Sequence, residues 1–120
     1  MTISKGKRAE YIADSWLRNR KLNILSRNFH SRWGEIDIIG IDKSTLCFIE
    51  VKYRESSHYG TAAETVTFKK QQRIIKTAQI YLHQNDEHID KAARFDVVSL
   101  TGELDNPVID WHKNAFMMST

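Results

Sequence analysis

Three charged side chains stand inside two segments that are otherwise apolar. Asp37 lies in the run GEIDIIGI, and Glu50 and Lys52 lie in the run TLCFIEVKY that follows it. Both runs are typical of strands, and the intervening DKST is typical of a tight hairpin turn. Alternation puts Glu50 and Lys52 on one face of their strand, and puts Asp37 on a face with Glu35 and Ile39. Antiparallel pairing brings Asp37 opposite Glu50, so we expect the three charges to converge.

Two carboxylates and an ammonium group in this pattern fit metal-assisted phosphodiester cleavage. Half-buried carboxylates a few ångströms apart repel each other, and a divalent cation such as Mg²⁺ or Mn²⁺ relieves the repulsion. The metal activates a bound water and stabilises charge on a phosphate under attack. Lys52 would position that water or neutralise the developing charge. The alternative is that Glu50 and Lys52 form an exposed ion pair on a solvated strand, with Asp37 at a strand end.

The elements that must position these residues follow from hydrophobic periodicity and turn signals. Ser4 is a candidate N-cap for the first helix. The predicted order is a helix over 5–19, strands over 22–30, 35–41 and 45–53, a helix over 67–84, and strands over 94–100 and 108–112. The first three strands most simply form an antiparallel meander. The order αβββαββ predicts an α/β fold, with a mixed β-sheet flanked by helices, in a single domain over residues 1–120.

Composition sets broad limits on location and partners. The chain has 120 residues, 28% of them charged, and a net charge of +3, which permits a nucleic-acid partner without demanding one. The one cysteine, Cys47, forms no internal disulfide and is interpreted as a small buried apolar residue. We find neither a run of about 18 apolar residues nor a secretory signal, so we expect a cytoplasmic protein without a membrane partner.

The quoted motifs resemble a known family over nearly the whole chain. GEIDIIG followed by FIEVKYR, together with AEYIADSWL, VTFKKQQRI and RFDVVSL, is similar to the YraN-like family of small bacterial proteins. That family resembles the archaeal Holliday junction resolvases and the PD-(D/E)xK nuclease superfamily. The resemblance implies a restriction-endonuclease-like core and a metal-dependent endonuclease that hydrolyses DNA, branched or otherwise structured. Phe68 departs from the family, in which a proline is common at this position.

The resemblance also implies roles for individual residues. Asp37 and Glu50 would bind Mg²⁺ or Mn²⁺, with Glu10 as an auxiliary metal ligand from the first helix. Lys52 would be the catalytic lysine, and Gln71, from the Lys-Gln pair of the family, would assist catalysis. Two alternatives stay open from the residues alone. Glu10 can serve as a helix-dipole partner, and Gln71 can hydrogen-bond a backbone group.

Basic residues near this constellation are the candidates for DNA contact. They are Arg54, Lys69, Lys70 and Arg73. Phosphate contacts of this kind read no sequence, and we see no helix-turn-helix or zinc finger, so we expect recognition of DNA structure. The alternative is an ordinary solvated basic face.

Three further expectations complete the interpretation. The polar loop 55–65 can close over the substrate, although His58 within it is most simply a plain loop histidine. The analogy to junction resolvases favours a homodimer, because a junction has two symmetric scission points. The alternative function is a non-catalytic nucleic-acid-binding or accessory protein that retains the nuclease fold.

Overall fold

In the part of the chain that the structure describes, two α-helices and five strands follow one another in the predicted order, with a short 3-10 helix (Asp86–His88) after the second α-helix. The computed structural model of this protein describes residues 2–56 and 66–117. The elements are α1 (Lys5–Asn19), β1 (Asn23–Ser31), β2 (Gly34–Asp42), β3 (Thr45–Arg54), α2 (Phe68–Gln84), β4 (Ala93–Thr101) and β5 (Val108–Phe116). The order αβββαββ is thus confirmed. Most of the predicted loop 55–65, including His58, lies outside the described residues.

The five strands form one mixed sheet in the order β1-β2-β3-β4-β5. Strands β1, β2 and β3 are an antiparallel meander, as expected. Strand β4 pairs with β3 in parallel, and β5 returns antiparallel to β4. A parallel neighbour requires a crossover connection, and α2 lies in that connection. The arrangement is consistent with the nuclease-like core expected from the sequence.

The two helices cover opposite faces of the sheet. Ala9, Ala13 and Leu17 of α1 are buried in one apolar cluster with residues of β2, β3 and β4. Ile74 and Ala78 of α2 belong to the cluster on the other face. Neither helix is long and apolar enough to cross a membrane, and no other helix in the described part of the chain is.

Side-chain caps set the starts of both α-helices. Ser4 caps α1, as predicted, by accepting the Lys7 N–H at 3.2 Å. Thr67 caps α2 in the same way, accepting the Lys70 N–H at 3.2 Å.

Cys47 is fully buried, as predicted, and burial raises the pKa of its thiol to about 12, so the thiol stays protonated and unreactive.

Strand β5 is longer than the predicted 108–112. The pairing of β4 with β5 is irregular between Phe95 and Val97, and Asn114 adopts a positive φ of 57°. The buried Asp96 carboxylate accepts the Asn114 N–H at 2.9 Å. Phe116 then stacks on Phe95 with ring centroids 5.1 Å apart. This side-chain bond lets the strand continue through a bulge that no alternation pattern reveals.

Strands β2 and β3 separate where Asp37 and Glu50 lie. Their paired residues run from Asp42–Thr45 to Ile38–Ile49, whereas β1 stays paired with β2 as far as Gly34. Strict alternation is also broken here: Ile36 and Ile39 both face α2, and Ile38 faces α1. Alternation alone therefore does not fix the direction of Asp37, which we had placed with Ile39. We call this opening between Asp37 and Glu50 the strand fork.

Candidate active site

Three carboxylates from two elements meet at the strand fork. Glu10 reaches it from α1, and Glu35 and Asp37 reach it from β2. One oxygen of each lies within 4.8 Å of the other two, and all three residues are half-buried. Burial of Ala9 and Ala13 orients α1 so that Glu10 borders the sheet. Glu35 was not predicted as a ligand, although its spacing of two from Asp37 is a signal that it shares the site.

An asparagine holds two of these carboxylates together. Asn28 Nδ2 donates to Glu10 Oε1 at 2.8 Å and to Glu35 Oε1 at 2.6 Å. The residue has a positive φ of 52°, a conformation that asparagine tolerates better than most side chains. Sequence reasoning missed Asn28. The one available signal was an asparagine inside a strand, where this residue type is depleted.

Asp37 spans the strand fork. Its Oδ2 accepts the Val51 N–H at 2.8 Å, so the side chain contacts the backbone of β3. Burial raises the pKa of Asp37 to about 8, and the charge of Glu50 adds to this, as do Glu10 and Glu35; the Val51 bond opposes the rise. The ionised form of Asp37 is therefore disfavoured here, and a bound cation would favour it by neutralising its charge.

Glu50 and the two lysines form the second part of the site. The Glu50 side chain is only 6% exposed, and its Oε1 lies 2.7 Å from Lys70 Nζ. Burial works against the charge of Lys70, but the hydrogen bond and charge of Glu50 outweigh it and raise the pKa of the lysine, with Asp37 and a contact with Lys52 contributing. Asp37 is close enough to Glu50 for their charges to interact, and Lys52 contacts Lys70. Glu50 bonds Lys70, however, and is not one of the three clustered carboxylates.

The remaining predicted residues divide between the site and its surroundings. Gln71 donates its Nε2 to the Val66 carbonyl at 3.0 Å, which is the backbone alternative. Lys69, Lys70 and Arg73 line a cleft of about 360 Å³ that also includes Glu35 of the carboxylate group. We call it the basic cleft. Arg54 ends β3 and is not part of the cleft wall.

Comparison with known proteins identifies the family. The model of the uncharacterised protein family UPF0102 matches residues 9–100. The chain belongs to this family. A UPF0102 protein of Francisella tularensis subsp. novicida is 43% identical over 116 residues, covering 96% of each chain. UPF0102 proteins of Colwellia psychrerythraea and Nitrosococcus oceani are 42% and 41% identical, covering 90% and 94% of those relatives.

Membership in UPF0102 confirms the resemblance drawn from the motifs, because UPF0102 is the YraN family. The matched segment of residues 9–100 contains every residue that we predicted as catalytic, metal-binding or DNA-binding. In this UPF0102 chain, the strand fork joins the predicted acidic residues to a cleft lined with cations. Asn28 and Glu35, which sequence reasoning missed or left unassigned, complete the acidic part.

Proposed function

We propose that this protein is a metal-dependent endonuclease that hydrolyses phosphodiester bonds of branched or otherwise structured DNA. One observation carries the proposal: the group of carboxylates, the Glu50–Lys70 ion pair and the basic cleft adjoin one another at the strand fork. Carboxylates alone are common on protein surfaces. Carboxylates beside cations that can hold a phosphate are the combination that phosphodiester hydrolysis requires.

The carboxylate group fits a small, hard divalent cation. All three donors are oxygen atoms, which Mg²⁺ and Mn²⁺ prefer. Their mutual distances of up to 4.8 Å are near the separation of about 4 Å between opposite ligands of one Mg²⁺. Glu10, Glu35 and Asp37 would hold the ion. When bound, the ion supplies a water of lowered pKa and an electrophilic contact for a phosphate oxygen.

The lysines provide positive charge for the phosphate. Lys70 lies between Glu50 and the basic cleft, so it can exchange its contact with Glu50 for a phosphate oxygen. That exchange would leave the Glu50 carboxylate available to a cation, as the sequence predicts. Lys52, in contact with Lys70, would stabilise the charge that develops on the phosphate in attack. Gln71 supports the start of α2 through the Val66 carbonyl rather than contacting the phosphate in this state.

The Glu50–Lys70 ion pair also supports a second candidate function. A lysine that neutralises a ligand carboxylate at 2.7 Å competes with a metal for that carboxylate. A protein in which the pair is permanent would bind structured DNA through the basic cleft without cleaving it. The two candidates make opposite predictions for turnover, while both predict binding that weakens as the salt concentration rises.

A cleavage panel distinguishes the two functions. Single strands, duplexes, flaps and four-way junctions are incubated with wild-type protein and Mg²⁺ or Mn²⁺, with EDTA as the metal-free control. We expect cleavage of at least one branched substrate with metal. We expect Lys52→Ala to lower the rate by about 100-fold or more, because transition-state charge stabilisation of this kind is worth that much. Lys91→Ala, at an exposed position away from the fork, is the matched control and should cleave normally.

Circular dichroism on the same variants establishes that each is folded. Folded wild-type protein that binds these DNAs but cuts none of them with either ion contradicts the nuclease proposal and supports the binding module. Equal cleavage by wild type and Lys52→Ala assigns the activity to a contaminant or another site. Either result removes the strand fork from the account of catalysis.

A further inference from the structure

Trp33 is an exposed aromatic side chain at the border of the basic cleft. It belongs to the turn between β1 and β2, and it remains 38% exposed although tryptophan is usually well buried. The residue is part of the wall of the basic cleft, together with Lys69 and Arg73. It also lines a second, more apolar cleft of about 430 Å³ along α2 that includes Ile80 and His83. The indole therefore forms the boundary between a cationic surface and an apolar one.

The backbone that carries Trp33 is fixed against α2. Its N–H donates to Ser31 Oγ at 3.0 Å, and the same hydroxyl lies 2.7 Å from Thr77 Oγ1. Thr77 is fully buried and donates to the Arg73 carbonyl at 2.9 Å. Gly34 comes so close to α2 that an added Cβ would lie 3.8 Å from Arg73 Cβ. The backbone that carries the indole is thus held in place before any ligand arrives, which lowers the entropic cost of binding there.

Cations surround the indole and lead back to the strand fork. Lys76 Nζ lies over the ring at 4.1 Å from its centre, and Arg32 Cζ lies over it at 4.9 Å, so a base that stacks on the indole would displace one of these cations. Lys69, Arg73 and Lys76 are exposed, and their spacing of four and three residues places them on one stripe of α2. This stripe begins beside Lys70, which contacts Glu50. A polyanion lying along the stripe would connect the fork to Trp33.

An aromatic face flanked by a row of cations matches the chemistry of single-stranded nucleic acid. Its phosphates are spaced along a flexible backbone, and each base has a face that stacks on tryptophan. Bases of an intact duplex are already stacked inside the helix and cannot reach an indole on a turn. We infer that Trp33 stacks on an unpaired base of a DNA strand whose phosphates lie along Lys69, Arg73 and Lys76. The inference deepens the proposed function and rests on it, since it specifies substrates with a single-stranded segment beside the cut.

Binding to labelled oligonucleotides in EDTA tests the inference without any cleavage. A short fluorescein-labelled oligothymidine and a blunt duplex are titrated with protein, and anisotropy is recorded. We expect Trp33→Ala to weaken single-strand binding by roughly 5- to 100-fold, the usual effect of removing one stacking platform. Trp33→Phe should lose less, because phenylalanine keeps an aromatic face. Duplex affinity should change little in either variant.

Tyr11→Ala is the matched control. Tyr11 is 52% exposed and has Arg27 Cζ 4.6 Å from its ring centre, so it is another surface aromatic ring with a cation over it, located on α1. This variant should bind like wild type. A second readout is the quenching of tryptophan fluorescence by the oligonucleotide, which Trp33→Phe should abolish even though Trp16 and Trp111 remain.

The possible outcomes separate this inference from the proposed function. Unchanged single-strand affinity in Trp33→Ala, an equal loss for duplex and single strand, or no binding of oligothymidine to wild type would each overturn the stacking inference. The first of these is also the result expected if a protein partner covers this surface instead. Cleavage by wild type with Mg²⁺ or Mn²⁺ would leave the proposed function intact in those cases. Conversely, Trp33-dependent binding without any metal-dependent cleavage would retain the stacking site and reject the nuclease.

Discussion

At the scale of single residues, the strand fork concentrates more negative charge than its surroundings neutralise. The effect is seen in the pKa of Asp37, which burial and three neighbouring carboxylates raise to about 8. Asn28 provides hydrogen bonds to Glu10 and Glu35 but no charge. Lys70 neutralises Glu50. On the other side of Asp37, Lys7 Nζ lies 3.5 Å from Glu10 Oε1 and His30 Nε2 lies 3.3 Å from Glu35 Oε2, yet the charges of Glu10 and Glu35 still raise the pKa of Asp37. A site built in this way is less stable empty than a neutral equivalent would be.

The effect on stability gives a prediction for Asp37. In the unfolded chain its pKa returns to the ordinary value of 3.8, so the folded state holds the proton more tightly. Stability contributed by the protonated carboxyl is therefore lost as pH rises from about 4 to about 8. In EDTA near the upper end of this range, we expect Asp37→Asn to be more stable than wild type by about 1–2 kcal/mol. The difference should shrink toward acidic pH.

Chemical denaturation across this pH range measures the difference. Asp90→Asn, a change at an exposed position away from the fork, controls for loss of a surface charge and should follow wild type. Asparagine keeps an oxygen that can accept the Val51 N–H, so the variant isolates charge from hydrogen bonding. A less stable Asp37→Asn at alkaline pH would show that the charge is already neutralised in the metal-free protein.

The residue scale also shows where sequence reasoning stops. Asp37, Glu50 and Lys52 could be singled out because charges inside apolar strand segments are conspicuous. The expected strand pairing put Asp37 near Glu50, and the charges of these two residues do interact. Glu35 and Asn28 looked like ordinary polar residues of half-exposed strands. Lys70 was predicted to contact DNA, and its ion pair with Glu50 could not be foreseen. That contact depends on how α2 packs over the sheet. The sequence pattern indicates which face of α2 is buried, but it does not give the distances between side chains.

At the scale of elements, the fork exists because β2 and β3 stay paired only on one side of it. Gly40 lies in the paired part, where β1 crosses close to β2. A Cβ added at Gly40 would lie 2.9 Å from the Asn23 carbonyl and 3.0 Å from Leu22. The obstruction includes backbone, so it cannot be relieved by a side-chain rotation. Gly40 thus permits the close approach that keeps β1 and β2 together next to the site.

A pair of glycine substitutions tests this reading of β2. We expect Gly40→Ala to lower the free energy of unfolding by about 1–3 kcal/mol, the usual cost of overpacking. Gly6→Ala is the matched control. No heavy atom lies within 4 Å of the added methyl, and the site is in a helix, so stability should rise by up to about 1 kcal/mol. Thermal or urea unfolding measures both. A Gly40→Ala protein as stable as wild type would contradict the crowding.

Most of the elements could be predicted, since the segments with helical or strand periodicity are long in this chain and turn residues separate them. The boundaries of α1 were predicted to the residue, and Ser4 capping was foreseen. The end of β5 was missed because it depends on the side chain of Asp96 accepting a backbone N–H from Asn114. The broken alternation between Ile36 and Ile39 was missed for a related reason. It occurs where β2 leaves β3 but stays paired with β1, and the sequence of one strand does not show this.

At the scale of the whole molecule, the strand fork lets two helices on opposite faces of the sheet act at one place. Glu10 comes from α1 on one face, and Lys70 comes from α2 on the other. A continuous sheet would keep these side chains apart. The basic cleft then opens on the α2 side, so the proposed metal ligands and the proposed phosphate contacts meet without sharing a face. The net charge of +3 gave no indication of this distribution.

The central claim is that the carboxylates at the strand fork bind one divalent cation, and a Mn²⁺ titration followed by electron paramagnetic resonance tests it most directly. Free Mn²⁺ gives a strong signal that binding suppresses, so the measurement needs neither DNA nor turnover. We expect wild type and Asp90→Asn to bind one ion, and Asp37→Asn to bind it about tenfold or more weakly. Wild-type protein that binds no Mn²⁺, or Asp37→Asn protein that binds it as tightly as wild type, would contradict the account.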